Sequence, residues 1–217
     1  RSDALIIIAG FESSEEGEYV AIGKNPSGGD RLDLRLKERD LVLINGLAGL
    51  NPKTVVSIIT GSAVIIEDWK ARVPSVLISW YSGMEGGDAL ARIIFGQANP
   101  SGRLPFSIAE KQEDYPYFNN TDSVADYGYY HGYTLFDKKG IKPSYPFGFG
   151  MSYTTFKFDS LRVIKPEICA FDSLQVSVNV TNTGKVSGKE VAQLYIGYEN
   201  SKVDRPVKLL RGFKKID

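Results

Sequence analysis

Three short apolar runs punctuate the first eighty residues. Ala4 to Ala9 (ALIIIA), Thr54 to Thr60 (TVVSIIT) and Val73 to Trp80 (VPSVLISW) are continuous rather than alternating. That is the pattern of strands buried on both faces of a sheet covered by helices. Between the runs the period changes. Leu41, Ile44, Leu47 and Leu50 fall on one stripe of a helix over Lys37 to Leu50, Val64 to Arg72 suits a short helix, and Gly87 to Phe95 turns Leu90, Ile93 and Ile94 to one side. Strand and helix therefore alternate as in an α/β layer. After Phe156 the period drops to two: Leu174, Val176, Val178 and Val180 alternate with Gln175, Ser177, Asn179 and Thr181, and Ala192, Leu194 and Ile196 resume the pattern. These are half-buried antiparallel strands of a β-sandwich. Only about 60 residues remain for it, against roughly 100 for a whole immunoglobulin-type sandwich.

The fold class expected is α/β: a partial, three-layer α/β sandwich with a largely parallel sheet over 1–110, then a partial β-sandwich over 156–217. The stretch 111–155 between them is rich in Tyr, Phe, Gly and Pro without a clear period, and is expected to be a long aromatic loop, either functional or packed across the domain boundary. The chain opens with Arg1-Ser2-Asp3 and enters an apolar run at once, and it stops inside a strand-like pattern. It is expected to be a piece of a longer polypeptide.

Composition narrows the chemistry mainly by exclusion. Lys plus Arg and Asp plus Glu both number 26, so the formal charge is zero and there is no basic stripe for nucleic acid. No apolar run approaches the roughly 18 to 20 residues needed to cross a bilayer. One cysteine, Cys169, and one histidine, His131, argue against an internal disulfide, a structural zinc site and a His-rich metal cluster. Cys169 is expected to be buried packing.

Four segments carry a stronger signal together than any does alone. The first is Glu16-Gly17-Glu18-Tyr19, followed by Gly29-Asp30-Arg31 and alternating leucines. The second is WYSGMEGGDA from Trp80, followed by Phe95-Gly96 and NPSGRLP from Asn99. The third is YPFGFGMSYTTF from Tyr145. The fourth is GKEVAQLY from Gly188, followed by Arg205-Pro206-Val207-Lys208 and Leu210-Arg211-Gly212-Phe213. In this order they resemble the glycoside hydrolase family 3 enzymes of β-glucosidase and β-xylosidase type.

The resemblance implies a parent with a barrel domain carrying a nucleophilic aspartate, an α/β sandwich carrying the acid/base, and a fibronectin type III-like domain. This chain corresponds to most of the second and the front of the third; the nucleophile and the barrel lie outside it. The implied substrate is an oligosaccharide or aryl β-glycoside, cleaved at a non-reducing β-D-glucosyl or xylosyl unit. No metal or organic cofactor is implied. Members of the family occur as secreted or periplasmic proteins and also in the cytoplasm. The other reading of the chain is a carbohydrate-binding or structural module without catalysis.

Matching the family's short glutamate motif ahead of its Asp-Arg pair puts the acid/base at Glu18, with Glu16 as second choice. The alternative is that the acidic run Glu12 to Glu18 is a solvated loop. Arg31 either lines the sugar site through its fork of donors or makes a structural salt bridge. Trp80 either stacks near the pocket or belongs to the core, as does Trp69. Tyr127, Tyr129, Tyr130, His131 and Tyr133 either rim the acceptor side or pack against the sandwich. Glu85, opening a helix, suits a capping role.

Overall fold

The structure, a computed structural model, describes residues 2–17, 29, 31–120, 122–165, 167, 169 and 171–217. Glu18 and Asp30 lie outside the described residues. A parallel sheet in the order β1-β2-β3 is built from β1 (Leu5–Gly10), β2 (Thr54–Ile59) and β3 (Ser75–Ile78). Leu5 pairs with Thr54 through to Gly10 with Ile59, and Val55 pairs with Ser75 through to Ile58 with Ile78. These are the three apolar runs of the sequence. Between them in the chain lie α1 (Ser13–Glu16), α2 (Glu38–Leu47) and α3 (Glu67–Lys70), and α4 (Gly86–Ile94) follows β3.

The core sits on one face of the sheet. Ile7, Ala9, Val56 and Ile58 pack with Ile44 and Ala48 and with Val64, Ile66 and Trp69, all buried. Ile44 is fully enclosed, and burying such a side chain stabilises by about 1.5–3 kcal/mol. The expectation of a first strand buried on both faces is corrected here. Ile6 and Ile8 are 42% and 56% exposed, because the helices that pack on β1 cover only the Ile7–Ala9 side. The predicted helical stripe is also shorter than expected: Leu50 sits in a 3-10 turn, Ala48–Leu50, and faces solvent.

The aromatic stretch is not wholly a loop. It contains α5 (Tyr133–Lys139), entered through Gly132 at φ 52 and stopped by Gly140 in the left-handed region at φ 63. Only Thr134 and Phe136 of this helix are buried, which is too few to register as a period. The sandwich portion contributes two antiparallel pairs, β4 (Phe156–Val163) with β5 (Val176–Asn182) and β6 (Glu190–Ile196) with β7 (Leu209–Ile216). Side-chain burial alternates along β5 as its sequence does. Cys169 is exposed rather than buried packing; it lies in the connection between β4 and β5.

The two halves are bolted together by the turn chemistry of the second and third motifs. The Asn99 side chain accepts from Ser152 Oγ and the Tyr153 amide and donates to the Ser187 carbonyl. Arg103 pairs with Glu190 at 2.6 Å, both side chains about nine-tenths buried. The tyrosine cluster adds to the seam. Tyr130 donates to Asp204, and Tyr133 accepts from the Leu210 amide while packing on Phe147 and Tyr195. Glu85 stands at the N-cap of α4, but its side chain makes no capping hydrogen bond.

Candidate functional site

All three parallel strands deliver their following segments to the same, carboxyl end of the sheet. Open α/β sheets gather ligand sites at that end, because the loops there are free of the strand ladder. β1 leads into Phe11 and α1, β2 into Thr60-Gly61-Ser62, and β3 into Ser79-Trp80-Tyr81. The Phe11 amide still donates to the Ile59 carbonyl, so the chain leaves β1 in contact with its neighbour. α1 is one short turn, in which the Glu15 and Glu16 amides return to the Glu12 carbonyl.

That turn aims Glu16 at the ends of the other two strands. Its carboxylate accepts from Thr60 Oγ1 at 3.1 Å, the Gly61 amide at 2.6 Å, Ser62 Oγ at 3.0 Å and the Tyr81 hydroxyl, and pairs with Arg31 Nε at 2.9 Å. The Glu16 and Arg31 side chains are only 8% and 9% exposed. Burial pulls the Glu16 pKa upward, but the hydrogen bonds from Tyr81, Gly61 and Ser62 and the charge of Arg31 outweigh it. The net displacement is below the ordinary glutamate value, so Glu16 is held ionised. Tyr81 responds in the opposite sense: desolvation, then its bond to the Glu16 carboxylate, push the phenol up to about 12.

Arg31 is fixed on three sides. Besides Glu16 it donates through Nη2 to Ser62 Oγ at 2.5 Å and to the Ala63 carbonyl at 3.0 Å, and its guanidinium lies 3.9 Å over the Phe11 ring. Nη1 is buried and has no hydrogen-bond partner among the described residues. A buried donor without a partner is costly. Next to Arg31, the Gly29 amide donates to the Gly17 carbonyl at 2.7 Å. Gly17 and Gly29 are thus tied by a backbone bond, and Glu16 and Arg31, one position before and two positions after them, by an ion pair.

Beside this knot lies a cleft of about 390 Å³, lined by Glu16, Arg31, Leu34, Ser62, Tyr81 and, from the aromatic segment, Phe118 and Tyr127. Of the residues singled out from the sequence, Glu16, Arg31 and Tyr127 meet here. Trp80 does not line it; its half-buried ring stands edge-on to Phe106, and its backbone takes a left-handed φ of 52°. Trp69 is core. The contributions of Thr60–Ser62, Tyr81 and Phe118 were not singled out from sequence. For Thr60–Ser62 and Tyr81 the available signal was their position just past the second and third apolar runs.

The comparisons with known proteins follow the same division of the chain. Residues 1–153 match the glycosyl hydrolase family 3 C-terminal domain, and residues 190–217 match the fibronectin type III-like domain. This chain belongs to glycoside hydrolase family 3. Among its family 3 relatives, it is 39% identical to beta-glucosidase BoGH3A of Bacteroides ovatus over 99% of its own length and 29% of that protein. It is 37% identical to a beta-xylosidase of Formosa agariphila, over 99% of its length and 28% of that protein. The crystal structure of a family 3 beta-glucosidase from Bifidobacterium adolescentis superposes with a TM-score of 0.85 at 33% identity, covering 99% of this chain and 31% of that one. The chain therefore spans less than a third of the length of these relatives. Both parts of the fold, the parallel α/β sheet and the fibronectin type III-like strands, are those of family 3.

Proposed function

We propose that this chain is the C-terminal part of a retaining β-glycosidase that releases terminal non-reducing β-D-glucosyl or xylosyl residues, and that Glu18 is its general acid/base. The observation that carries the reading is the anchoring of the Glu16–Arg31 knot at the carboxyl end of the sheet of a family 3 chain. Glu18 is the next carboxylate along the chain from that anchor.

A retaining mechanism needs two carboxyl groups about 5–5.5 Å apart across the glycosidic bond. One attacks the anomeric carbon, forming the glycosyl–enzyme bond as the bond to the leaving oxygen breaks. The other gives its proton to that oxygen and later takes one from water. The nucleophile is assigned to a barrel domain elsewhere in the same polypeptide, and this chain supplies the proton donor. A proton donor must be protonated near neutral pH. Glu16 is biased the other way by its donors, which favours Glu18 for the role. Arg31, through its unpartnered Nη1, is the residue of the cleft with a buried donor left for a sugar oxygen. Trp80 is assigned to the border of the sugar site through its neighbour Tyr81.

The test is turnover of a panel of nitrophenyl β-glycosides by the intact protein and by this chain alone. The intact protein is expected to hydrolyse the glucoside or xyloside, and the isolated chain none, since one carboxylate cannot form the covalent intermediate. Sugar binding without turnover by the intact protein would instead support a non-catalytic module.

A further inference from the structure

The contacts at residues 16–17 and 29–31 are heavier than a solvated acidic run requires. An exposed glutamate is content with water, whereas Glu16 collects donors from the ends of two neighbouring strands and from Arg31. Its partner Arg31 is buried with it, and the Gly17–Gly29 backbone bond joins the same two stretches of chain. Taking a carboxylate and a guanidinium out of water is expensive, and it is repaid only where the geometry is well satisfied. Here every contact converges on the chain at residues 16–17 and 29–31.

We infer that Glu16 and Arg31 are positioning residues of the glycosidase reaction, a clamp that fixes the chain at the end of α1, two residues before the proton donor. The inference rests on the assignment of the acid/base to Glu18. Glu18 follows Glu16 by two positions in the chain. An error of about an ångström in placing a catalytic group costs on the order of 10²-fold in rate. Without the clamp, the backbone ahead of Glu18 would sample many conformations, and proton transfer would be achieved in only a fraction of them.

Glu16→Gln is the sharpest perturbation. It preserves the size of the side chain but replaces one carboxylate oxygen by an amide NH2, so either Arg31 Nε with Thr60 and Ser62, which share Oε1, or the Gly61 amide with the Tyr81 hydroxyl, which share Oε2, lose their acceptor. Arg31→Lys is the second, because a point-charge ammonium cannot reach Glu16, Ser62 and the Ala63 carbonyl together. Tyr81→Phe removes a single donor from a half-exposed phenol and serves if the buried variants do not fold.

The measurement is kcat/KM of the intact protein for a series of aryl and alkyl β-glucosides of rising leaving-group pKa. A displaced proton donor penalises poor leaving groups selectively, whereas a fold weakened in general lowers all substrates by one factor. The expected result for Glu16→Gln is a loss of at least about 10-fold on an alkyl glucoside and under about 3-fold on the dinitrophenyl glucoside, with a steeper slope against leaving-group pKa. Arg31→Lys should show the same change of slope, on top of a common factor from its lost sugar contact, and Tyr81→Phe should show a smaller change of slope. A common factor across the series, with the slope unchanged, would overturn the clamp. Glu18→Ala in the same series is the independent control: if it leaves the slope unchanged, the acid/base assignment itself fails, and the clamp with it.

Discussion

The seam between the α/β part and the sandwich strands offers a perturbation whose size follows from the structure. Arg103 belongs to the NPSGR turn and Glu190 opens β6, 87 residues away, and their side chains meet at 2.6 Å with 10% and 14% exposure. Arg103 also donates to the Gly102 carbonyl, and Glu190 accepts from the Val191 amide, so both ends are held in place. Glu190→Ala leaves a guanidinium nine-tenths buried without its counter-ion. Breaking a buried pair from one side costs about 3–5 kcal/mol; the residual exposure of this pair points to the lower end, about 3 kcal/mol. Since each tenfold change corresponds to about 1.36 kcal/mol, the opening equilibrium of the seam should rise on the order of 10²-fold. Hydrogen exchange of the intact protein, followed by mass spectrometry, should register this as a comparable loss of protection in peptides covering β6 and the NPSGR turn. Arg103→Met combined with Glu190→Leu should restore most of it, because the pair replaced as a unit leaves no orphaned charge. A change in protection under about fivefold for the single variant, or a double variant worse than the single, would refute the reasoning.

Three other predictions are smaller in scope. Ile44→Ala, at a fully enclosed site between α2 and the sheet, should cost about 2–5 kcal/mol in the melting of the α/β part. Leu50→Ala, in the same sequence stripe but 75% exposed, should change stability by no more than about 0.5 kcal/mol. The Glu16 carboxyl is depressed in the folded protein, so its contribution is present above the ordinary glutamate range, about 4.3, and is lost as pH falls through its lower folded value. Protection of the Gly61 amide, which donates to Glu16, should therefore fall relative to its intrinsic exchange rate at each pH on acidification below about pH 4, and Glu16→Gln should remove that dependence.

Much of the fold was readable in the residues because its physics is local. Continuous Ile and Val runs need a covered sheet, and all three became parallel strands; the two-residue alternation of Val176 to Val180 became the alternating burial of β5. Features set by contacts distant in sequence were not readable. The exposure of Ile6 and Ile8 depends on which face the helices cover. The helix α5 hides in an aromatic segment because its start and stop come from glycine conformations rather than from an apolar period. The Glu16 cage assembles Arg31, 15 positions away, and donors 44 to 65 positions away, which no spacing rule within the acidic run reveals. From sequence Glu16 and Glu18 are neighbours with equal chemistry. The cage is what marks Glu16 as a carboxylate held ionised.

The central claim is that the proton donor of a family 3 glycosidase stands at Glu18, and Glu18→Ala in the intact protein tests it most directly. Steady-state hydrolysis of cellobiose should fall about 10²- to 10⁴-fold, the ordinary worth of general acid help, while dinitrophenyl β-glucoside, whose leaving group needs no proton, should lose far less in kcat/KM. Equal losses on the two substrates would contradict the account and move the proton donor to another residue.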